Sequence, residues 1–434
     1  MKKEFKVAKG VVDWSGKYAL LRNQVRSTLQ SIFERYGYAP LETPIIERVD
    51  TLGFKGGGEI QKEVFRLSDL GNRDLALRFD HTVPLGRYMA TESQMRLPFK
   101  RYAIGPVFRD GPTQPEQGRY RIFNQCDVDI IGVAEMSAEA EILALSRDVF
   151  RELQLGDVEI KINNRKLLDG ILDYASIPDK QKTPAIIALD KVDKVGYDGV
   201  EKELVSLDLP VKTVQKVMDA VKMRNTNKET LGYLSELVSS DTGEEGLKEI
   251  QSLLEYSSAM KIPSIQFDPC LARGLDYYTG TTFEVYLNDR EIMKSAITAG
   301  GRFDNMVGEF CQDGKSYPAV GISFGLERLC VILENYYQNL DTTKTDIYLI
   351  PIDSLENTMG IAQNLREQGL NVNLDLQGKK VGQGIRYADA LGIPYVGVIG
   401  QNEVESGTIQ VKRLSDGKQD QMSLEDIYAN IKRY

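Results

Sequence analysis

Apolar residues first recur at helical spacing between about Tyr18 and Tyr36, and Gly37 is placed to end that helix. The spacing predicts a second helix from Ser137, as its N-cap, to Leu153. The VEIKINN segment that follows alternates apolar and polar residues, as a half-buried strand does. The first part of the chain is therefore expected to mix helices with strands.

The middle and the end of the chain have different patterns. Residues 168–260 are rich in Lys, Asp, Glu and Leu, and their pattern indicates an inserted helical module without a cluster suited to chemistry. Strand-like sequence returns at TTFEVYL and YPAVGISF, and the second leads into a helix from about Gly325. Residues 344–434 alternate short apolar strands with helical stretches, which predicts a parallel sheet, and Ser423 with Asp426 is expected to cap a final helix.

Composition restricts the chemistry. The chain has 434 residues, a net charge of −9 and a single histidine, His81. Catalysis by a Ser-His-Asp or Cys-His arrangement is excluded unless His81 is the base, and so is a multi-histidine metal site. Four widely spaced cysteines form no CxxC, and we find no signal peptide and no apolar run that could cross a membrane. We therefore expect a cytoplasmic protein with no membrane association.

The two common phosphate-binding loops do not fit this sequence. The GKS at 314–316 resembles the end of a P-loop, but the first glycine of that motif would fall at Glu309. A GxGxxG pattern begins at Gly382 and ends in Tyr387 instead of glycine. If the protein binds ATP, it must hold the phosphates without either of these two loops.

The strongest chemical signal is a set of arginines beside polar residues. FKRYAIGPVFRD and GRYRIFNQCDVDIIG flank a polar loop, which predicts an antiparallel hairpin with Arg109 ending one strand and Arg119 and Arg121 starting the next. Alternation places three polar residues on one face of the second strand: Gln125, Asp127 and Asp129. A solvated face explains any one of them, but three arginines opposite this row suit a polyphosphate and an ammonium or N–H donor. Arg273 and Arg328 add two cations, the latter near a predicted helix start.

These segments resemble class II aminoacyl-tRNA synthetases, and most closely the histidyl-tRNA synthetases. ERYGYAPLETPII is similar to motif 1 of the class, FRDGPTQPEQGRYRIFNQCDVDIIG to motif 2 and AVGISFGLERL to motif 3, while RGLDYYTG and AGGRFDNM resemble segments peculiar to the histidine enzyme. The resemblance implies an α+β fold, in which an antiparallel sheet with flanking helices is interrupted by a helical insertion and followed by an α/β anticodon-binding domain. The implied domains are a catalytic domain in two parts, 1–167 and 261–340, the insertion 168–260, and the anticodon-binding domain 344–434.

The resemblance also implies roles for individual residues. Arg109 would hold the ATP α-phosphate, Arg119 and Arg328 would hold the triphosphate tail, and Arg273 would be the catalytic arginine at the reacting phosphate. The residues implied for histidine binding are Asp80, Thr82, Arg109, Gln125, Asp129, Arg273, Tyr277 and Tyr278. The candidates for tRNA contact are Gln117, Arg121, Lys379, Lys380 and Arg386.

The implied reaction joins histidine to tRNA(His) through histidyl-adenylate, with ATP and Mg²⁺ and with no metal ligand assigned to the protein. Motif 1 implies a homodimer. The alternative is a non-aminoacylating paralogue, the regulatory subunit of ATP phosphoribosyltransferase in histidine biosynthesis, which shares the catalytic fold but lacks the tRNA-binding tail and generally the full arginine set. A synthetase-like module that binds RNA or acts as a sensor without catalysis is a further possibility.

The sequence departs from the family pattern at two positions. Motif 2 usually has an acidic residue where this chain has Gly111, so its role passes to Asp110 or Glu116, or is absent. His81 stands where a leucine-like residue is expected, and we favour a packing role over a catalytic one for it.

Overall fold

The computed structural model describes residues 5–53, 62–92, 95–223, 225–263, 265–272, 277–337 and 340–431. The chain divides into two compact units. The larger takes in the described residues up to Val12 and those from 24 to 336, and the smaller contains the chain from 337 onward together with 13–23. Each unit is described by itself.

Antiparallel strands build the core of the larger unit. Its strands are β1 Ala39–Pro40, β2 Ile46–Arg48, β3 Arg66–Ser68, β4 Asp74–Leu77, β5 Phe99–Phe108, β6 Ile122–Ile131, β7 Val158–Asn164, β8 Ile265–Phe267, β9 Thr281–Leu287, β10 Thr298–Arg302 and β11 Ala319–Gly325. Eight of them form one sheet in the order β1-β5-β6-β11-β10-β9-β7-β8, and β2-β4-β3 form a small second sheet. The large sheet is antiparallel except at its edges, where β1 runs parallel to β5 and β8 parallel to β7.

The helices of the larger unit begin with α1 Gly16–Arg35, of which residues 24–35 belong to this unit, α2 Val49–Gly53, α3 Thr82–Thr91 and α4 Ser137–Glu152. The helical period predicted for α1 is confirmed, since Val25, Leu29 and Phe33 are fully buried and Gly37 adopts a positive φ of 78° just past its end. The second helix is also confirmed, but its cap is wrong. Met136 occupies the N-cap position without a side-chain cap. Its side chain is buried, so apolar packing rather than side-chain capping fixes the start of α4.

The predicted helical stretch lies between β7 and β8 and begins slightly earlier than expected. Its helices are α5 Arg165–Tyr174, α6 Asp179–Leu189, α7 Val192–Val205, α8 Val211–Lys222, α9 Asn227–Leu237 and α10 Asp241–Ala259. Beyond it, α11 Asp304–Cys311 follows β10, and α12 Leu326–Tyr336 follows β11 directly. The short connection from β11 to α12 brings the first turn of α12 to the end of the central strands.

The smaller unit is a mixed sheet with helices. Its elements are β12 Ile347–Pro351, α13 Leu355–Glu367, β13 Val372–Leu374, α14 Val381–Ala390, β14 Tyr395–Ile399, α15 Gln401–Ser406, β15 Thr408–Arg413, β16 Gln419–Ser423 and α16 Leu424–Asn430. The strand order is β13-β12-β14-β15-β16. The parallel pairing of β12 with β13 and β14 is confirmed, and β15 and β16 add an antiparallel edge to the sheet. Ser423 and Asp426 form the predicted capping box.

Within the described ranges, no helix of either unit has both the length and the apolarity to cross a membrane.

Candidate active site

A cavity of about 1000 Å³ lies over the large sheet. Nine of the residues proposed for ATP or histidine binding line it together: Asp80, Thr82, Arg109, Arg119, Gln125, Asp129, Tyr277, Tyr278 and Arg328. Arg273 lies outside the described residues. Gln117 and Arg121 are in the larger unit but are not among the lining residues, and the basic candidates from 379 to 386 belong to the smaller unit.

The β5–β6 hairpin places the first arginine. The two strands pair from Phe99 opposite Ile131 to Phe108 opposite Ile122, which confirms the predicted hairpin and puts Arg109 just beyond its end. The Arg109 guanidinium lies over the ring of Phe79, 4.1 Å from its centroid, and its Nε donates to the Phe79 carbonyl at 3.3 Å. Aromatic stacking and one hydrogen bond therefore orient this cation at the cavity wall.

Two more arginines reach the cavity from different elements. Arg328 lies in the first turn of α12, and its Nη1 donates to the carbonyl of Ala296. Arg119 is exposed at the cavity, and its backbone forms a bridge with Gln114 across the motif 2 loop. Three guanidinium groups, one of them at a helix N-terminus where an anion is favoured, make this side of the cavity suitable for a polyphosphate.

The polar face of β6 also lines the cavity. Gln125, Asp127 and Asp129 all line the cavity, so the predicted alternation is confirmed. Gln125 donates through Nε2 to the Ser323 hydroxyl at 2.9 Å on the neighbouring strand β11. Opposite Asp129 stands Gly321, where a Cβ would lie 2.1 Å from the Asp129 Oδ1 atom. Glycine is required at that point because the Asp129 carboxylate occupies the space of a side chain.

A buried arginine that sequence reasoning missed pairs with Asp129. Arg101 stands directly opposite Asp129 in the hairpin register, and its Nη2 lies 2.8 Å from Asp129 Oδ2, with the two side chains 1% and 4% exposed. The same nitrogen donates to the His81 carbonyl at 3.2 Å. The register of the hairpin was the signal available, because it places an arginine across from an acid on the same face.

Burial has the largest effect on the pKa values of the carboxyl groups that line the cavity. It raises the pKa of Asp127 to about 7 and that of Asp129 to about 6, and the positive charge of Arg101 opposes both shifts. Burial also raises the pKa of Asp80, although the backbone N–H groups of Val83 and Thr82 donate to its Oδ1 at 3.0 and 3.1 Å. The negative charges of Asp129 and Asp80 raise the pKa of Asp127 further, and that of Asp80 raises the pKa of Asp129.

His81 lies beneath the site and is not among the cavity-lining residues. Its Nε2 is 3.3 Å from the Gly105 carbonyl oxygen, and the residue is buried. Burial, with the charges of Arg101 and Arg78, lowers the pKa of His81 to about 3, so its ring is neutral. This placement agrees with the packing role that we favoured.

The space beside Gly111 is filled from another part of the chain. A Cβ at Gly111 would lie 2.7 Å from the Glu63 carboxylate, and Glu63 lines the cavity. Asp110 instead pairs with Arg121 at 3.1 Å, while Glu116 is exposed in the short 3-10 helix of the motif 2 loop. Neither of the two acids suggested by the sequence is among the lining residues, whereas Glu63 is a carboxylate that sequence reasoning missed.

The aromatic side of the cavity is formed by adjacent tyrosines. The rings of Tyr277 and Tyr278 lie with their centroids 4.7 Å apart. A Cβ at Gly301 would lie 2.8 Å from the Tyr278 ring. The lack of a side chain at this position of β10 therefore leaves room for the ring against the sheet. Both tyrosines therefore line the same cavity as the acids.

The basic candidates of the smaller unit surround the start of α14. Lys379 is half-buried, with its Nζ 3.5 Å from Asp375 and 4.3 Å from the centroid of the Tyr387 ring. Lys380 and Arg386 are exposed. The structure therefore leaves two of the three charges at the surface of this unit.

An antiparallel sheet under a cavity that both arginines and acids line, with a helix starting directly from its central strand, defines a class II aminoacyl-tRNA synthetase. A family model described as histidyl-tRNA synthetase matches residues 10–329, and one described as anticodon binding domain matches residues 346–434. The chain belongs to the histidyl-tRNA synthetase family.

Individual relatives agree over nearly the whole length. The chain is 40% identical over 420 residues to histidine–tRNA ligase 1 of Bacillus cereus, covering 96% of this chain and 97% of the relative. The crystal structure of histidyl-tRNA synthetase from Nostoc sp. PCC 7120 has a TM-score of 0.88 and 30% identity, covering 99% of both chains. A structure from Bacillus halodurans C, described as an ATP phosphoribosyltransferase regulatory subunit/histidyl-tRNA synthetase, has a TM-score of 0.77 at 22% identity over 92% of this chain and 99% of its own. This last likeness shows the fold alone.

Proposed function

We propose that this chain activates histidine with ATP and transfers the histidyl group to tRNA(His). The observation that carries the proposal is that three arginines and the polar residues of β6 line one cavity. The guanidinium groups of Arg109, Arg119 and Arg328 suit the triphosphate of ATP. The side-chain oxygens of Gln125 and Asp129 suit the N–H groups of an amino acid. A volume of about 1000 Å³ is enough for both molecules.

The two steps need no protein nucleophile. The histidine carboxylate oxygen forms a bond to the α-phosphorus while the bond to the leaving pyrophosphate breaks, so negative charge grows on phosphate oxygens. Fixed guanidinium groups stabilise that charge, with Arg109 at the α-phosphate and Arg119 and Arg328 on the tail. In the second step a ribose hydroxyl of the tRNA attacks the histidyl carbonyl and AMP leaves. Arg273 is proposed as a further cation at the α-phosphate.

Specificity for histidine requires partners for both ring nitrogens. Asp129 is an acceptor held in place by Arg101, and Tyr278 can donate or accept, with Tyr277 beside it. Asp80 and Thr82, at the start of α3, are proposed to contact the substrate ammonium together with Gln125. Pairing of this kind can discriminate strongly against amino acids of similar size.

Magnesium enters this proposal with ATP. Among the described residues, no group of three or more His, Cys, Asp or Glu side chains could hold a metal ion. A magnesium ion would therefore be bound chiefly through the phosphates, as is usual for this cation at nucleotide sites.

The remaining parts of the proposal concern assembly and location. We propose a homodimer, supported by two adjacent exposed apolar residues of the motif 1 segment, Ile45 and Ile46. A cytoplasmic location is supported by four widely spaced cysteines that form no CxxC. The proposed catalytic domain consists of residues 1–167 and 261–340, the insertion of 168–260 and the anticodon-binding domain of 344–434. In the anticodon-binding domain, the residues proposed to contact tRNA are Lys379, Lys380 and Arg386. In the larger unit they are Gln117 and Arg121.

The regulatory paralogue is less well supported. It is expected to lack the tail and part of the arginine set, whereas here three arginines share one cavity and residues 346–434 match the anticodon binding model. Pyrophosphate exchange with each of the twenty amino acids tests the choice. We expect exchange with histidine, and charging of tRNA(His) when the tRNA is added.

Arg328→Ala should reduce exchange by roughly 10²-fold or more, as expected for loss of one preorganised donor. Arg151→Ala is the matched control, because Arg151 is 68% exposed on α4 and pairs with Asp148 at 3.3 Å. Absence of histidine-dependent exchange in the wild-type protein would overturn the proposed function.

A further inference from the structure

Glu327 is a buried acid to which the proposed function gives no role. It lies in the first turn of α12, immediately before Arg328, and it is 2% exposed. It lines the same cavity as Arg119 and Arg328, two of the arginines proposed for the triphosphate. A buried carboxylate is costly unless hydrogen bonds hold it, so the partners of Glu327 indicate what this residue does.

The carboxylate of Glu327 is bound by the end of strand β6. β11 pairs with β6 as far as Gly325 opposite Gln125, and α12 begins directly after that pair. The next residue of β6 towards the motif 2 loop is Asn124. Its backbone N–H donates to both carboxylate oxygens of Glu327, at 2.9 and 3.1 Å, and its side-chain amide donates to one of them at 3.2 Å. The carboxylate therefore takes the place of a strand partner where β11 ends.

A second contact joins the motif 2 loop to the same turn of α12. Gly118 ends the short 3-10 helix of the loop with a φ of 67°. A Cβ at this position would lie 2.8 Å from the backbone nitrogen of Arg328 and 2.9 Å from its Cα. Backbone atoms of a helix cannot move aside as the end of a side chain can, so the approach requires glycine. Arg119 follows Gly118 directly, and the loop thus meets α12 beside both arginines.

We propose that Glu327 is a positioning residue that fixes the spacing of Arg119 and Arg328 through its hydrogen bonds to Asn124. Asn124 lies on the strand that follows the motif 2 loop, whereas Arg328 is carried by α12. Two cations on separate elements bind one polyphosphate well when their spacing is already set, because little binding energy is then spent on ordering them. The inference rests on the proposed function, in which these two arginines hold the triphosphate tail.

Arg109 provides an internal comparison. Its guanidinium is oriented by the ring and the carbonyl of Phe79, and it is assigned to the α-phosphate. Loss of the Glu327 contact should therefore weaken binding of the β- and γ-phosphates and leave binding of the α-phosphate nearly unchanged. A general loss of structure would weaken both.

Direct binding of two nucleotides separates these cases. ATP carries the whole triphosphate, whereas AMP carries only the phosphate assigned to Arg109. Their dissociation constants are measured by isothermal titration calorimetry, with magnesium, for the wild type and for Glu327→Gln, in which an NH₂ group that cannot accept from Asn124 replaces one oxygen. We expect the ATP dissociation constant to rise roughly 10- to 100-fold, as for displaced binding groups, and that of AMP to stay within about threefold.

Gly118→Ala tests the second contact, and Gly314→Ala is its matched control. Both variants replace a glycine of positive φ, 67° and 74°, so both introduce similar backbone strain. At Gly314 no described atom lies within 4 Å of the Cβ position, so only Gly118→Ala should push the loop away from α12. We expect Gly118→Ala to weaken ATP binding as Glu327→Gln does, and Gly314→Ala to bind both nucleotides as the wild type does.

Circular dichroism and melting temperature establish which variants are folded, and if Glu327→Gln is not, Gly118→Ala decides by the same criterion. Equal weakening of ATP and AMP, or an unchanged ATP dissociation constant, overturns the assignment. So does recovery of ATP binding by Glu327→Gln at raised magnesium, since Glu327 would then bind the metal. If the wild type binds ATP but shows no exchange with histidine, the proposed function fails while the two dissociation constants still decide the role of Glu327. A wild type that does not bind ATP overturns both.

Discussion

Replacing Arg101 by methionine tests whether a buried ion pair holds the histidine pocket together. Methionine fills similar space along the stem but removes the guanidinium. Asp129 would lose the partner 2.8 Å away, and the His81 carbonyl would lose a donor at 3.2 Å. The variant therefore leaves an uncompensated charge beneath the cavity.

The size of the effect follows from burial. Both side chains of the pair are nearly inaccessible, at 1% and 4%. Removing one partner of such a pair typically costs about 3 to 5 kcal/mol, because the other charge stays buried. For a unit of this size that lowers the melting temperature by on the order of 10 °C. The double variant Arg101→Met/Asp129→Asn should recover much of the loss, since neither charge is then present.

The dependence on pH has a definite sign. The pKa of Asp129 is already raised to about 6 by burial, and the positive charge of Arg101 opposes that rise. Without Arg101 the pKa rises further. When a carboxyl group has a higher pKa in the folded state than in the unfolded state, the folded protein loses stability as the pH rises. The reason is that the unfolded state releases the proton more readily. The difference between wild type and variant should thus be largest near pH 8 and smaller near pH 5.5.

Calorimetric melting at the two pH values, with histidine-dependent pyrophosphate exchange on the same samples, measures both effects. Arg151→Ala serves as the control for loss of an arginine, because that exposed ion pair contributes at most about 1 kcal/mol. The reasoning is refuted if Arg101→Met melts within 2 °C of the wild type at pH 8. It is also refuted if the loss is the same at pH 5.5, since packing rather than charge would then be responsible.

Further predictions address other parts of the protein. Arg273→Ala should abolish adenylate formation in a folded protein, as expected for a donor that contributes about 10²- to 10³-fold, and exchange within threefold of the wild type would remove this role. Asp129→Asn should raise the histidine KM or lower kcat/KM while the ATP KM changes little, and equal weakening of both substrates would indicate a damaged fold. In Gly321→Ala a Cβ would lie 2.1 Å from Asp129 Oδ1, so we expect a histidine KM at least tenfold higher, and an unchanged KM would show that the carboxylate can move aside. A chain ending near residue 340 should still activate histidine but charge tRNA poorly, and undiminished charging would exclude the smaller unit from tRNA recognition.

Local features were predicted well from the sequence. The hairpin, the shared face of its second strand and the parallel strands of the smaller unit all follow from residue alternation and turn signals within short segments. The N-cap of α4 was wrong because Met136 is placed by contacts with distant residues, including Thr281, whose hydroxyl lies 3.5 Å from its sulfur. Glu63 beside Gly111 was missed for the same reason, since no local pattern connects two segments so far apart.

The sequence by itself determined the family, the arginines available for phosphate and the alternation that puts Gln125, Asp127 and Asp129 on one face. Alternation depends only on the geometry of the extended chain, so it can be read without knowing what lies opposite. The tertiary structure decided which of these acids is paired. Arg101 reaches Asp129, the backbone of α3 reaches Asp80, and the Ser323 side chain on β11 forms a hydrogen bond with Asp127. Pairing and burial depend on strand register and on elements distant in sequence, because a charge is tuned by everything within a few ångströms of it.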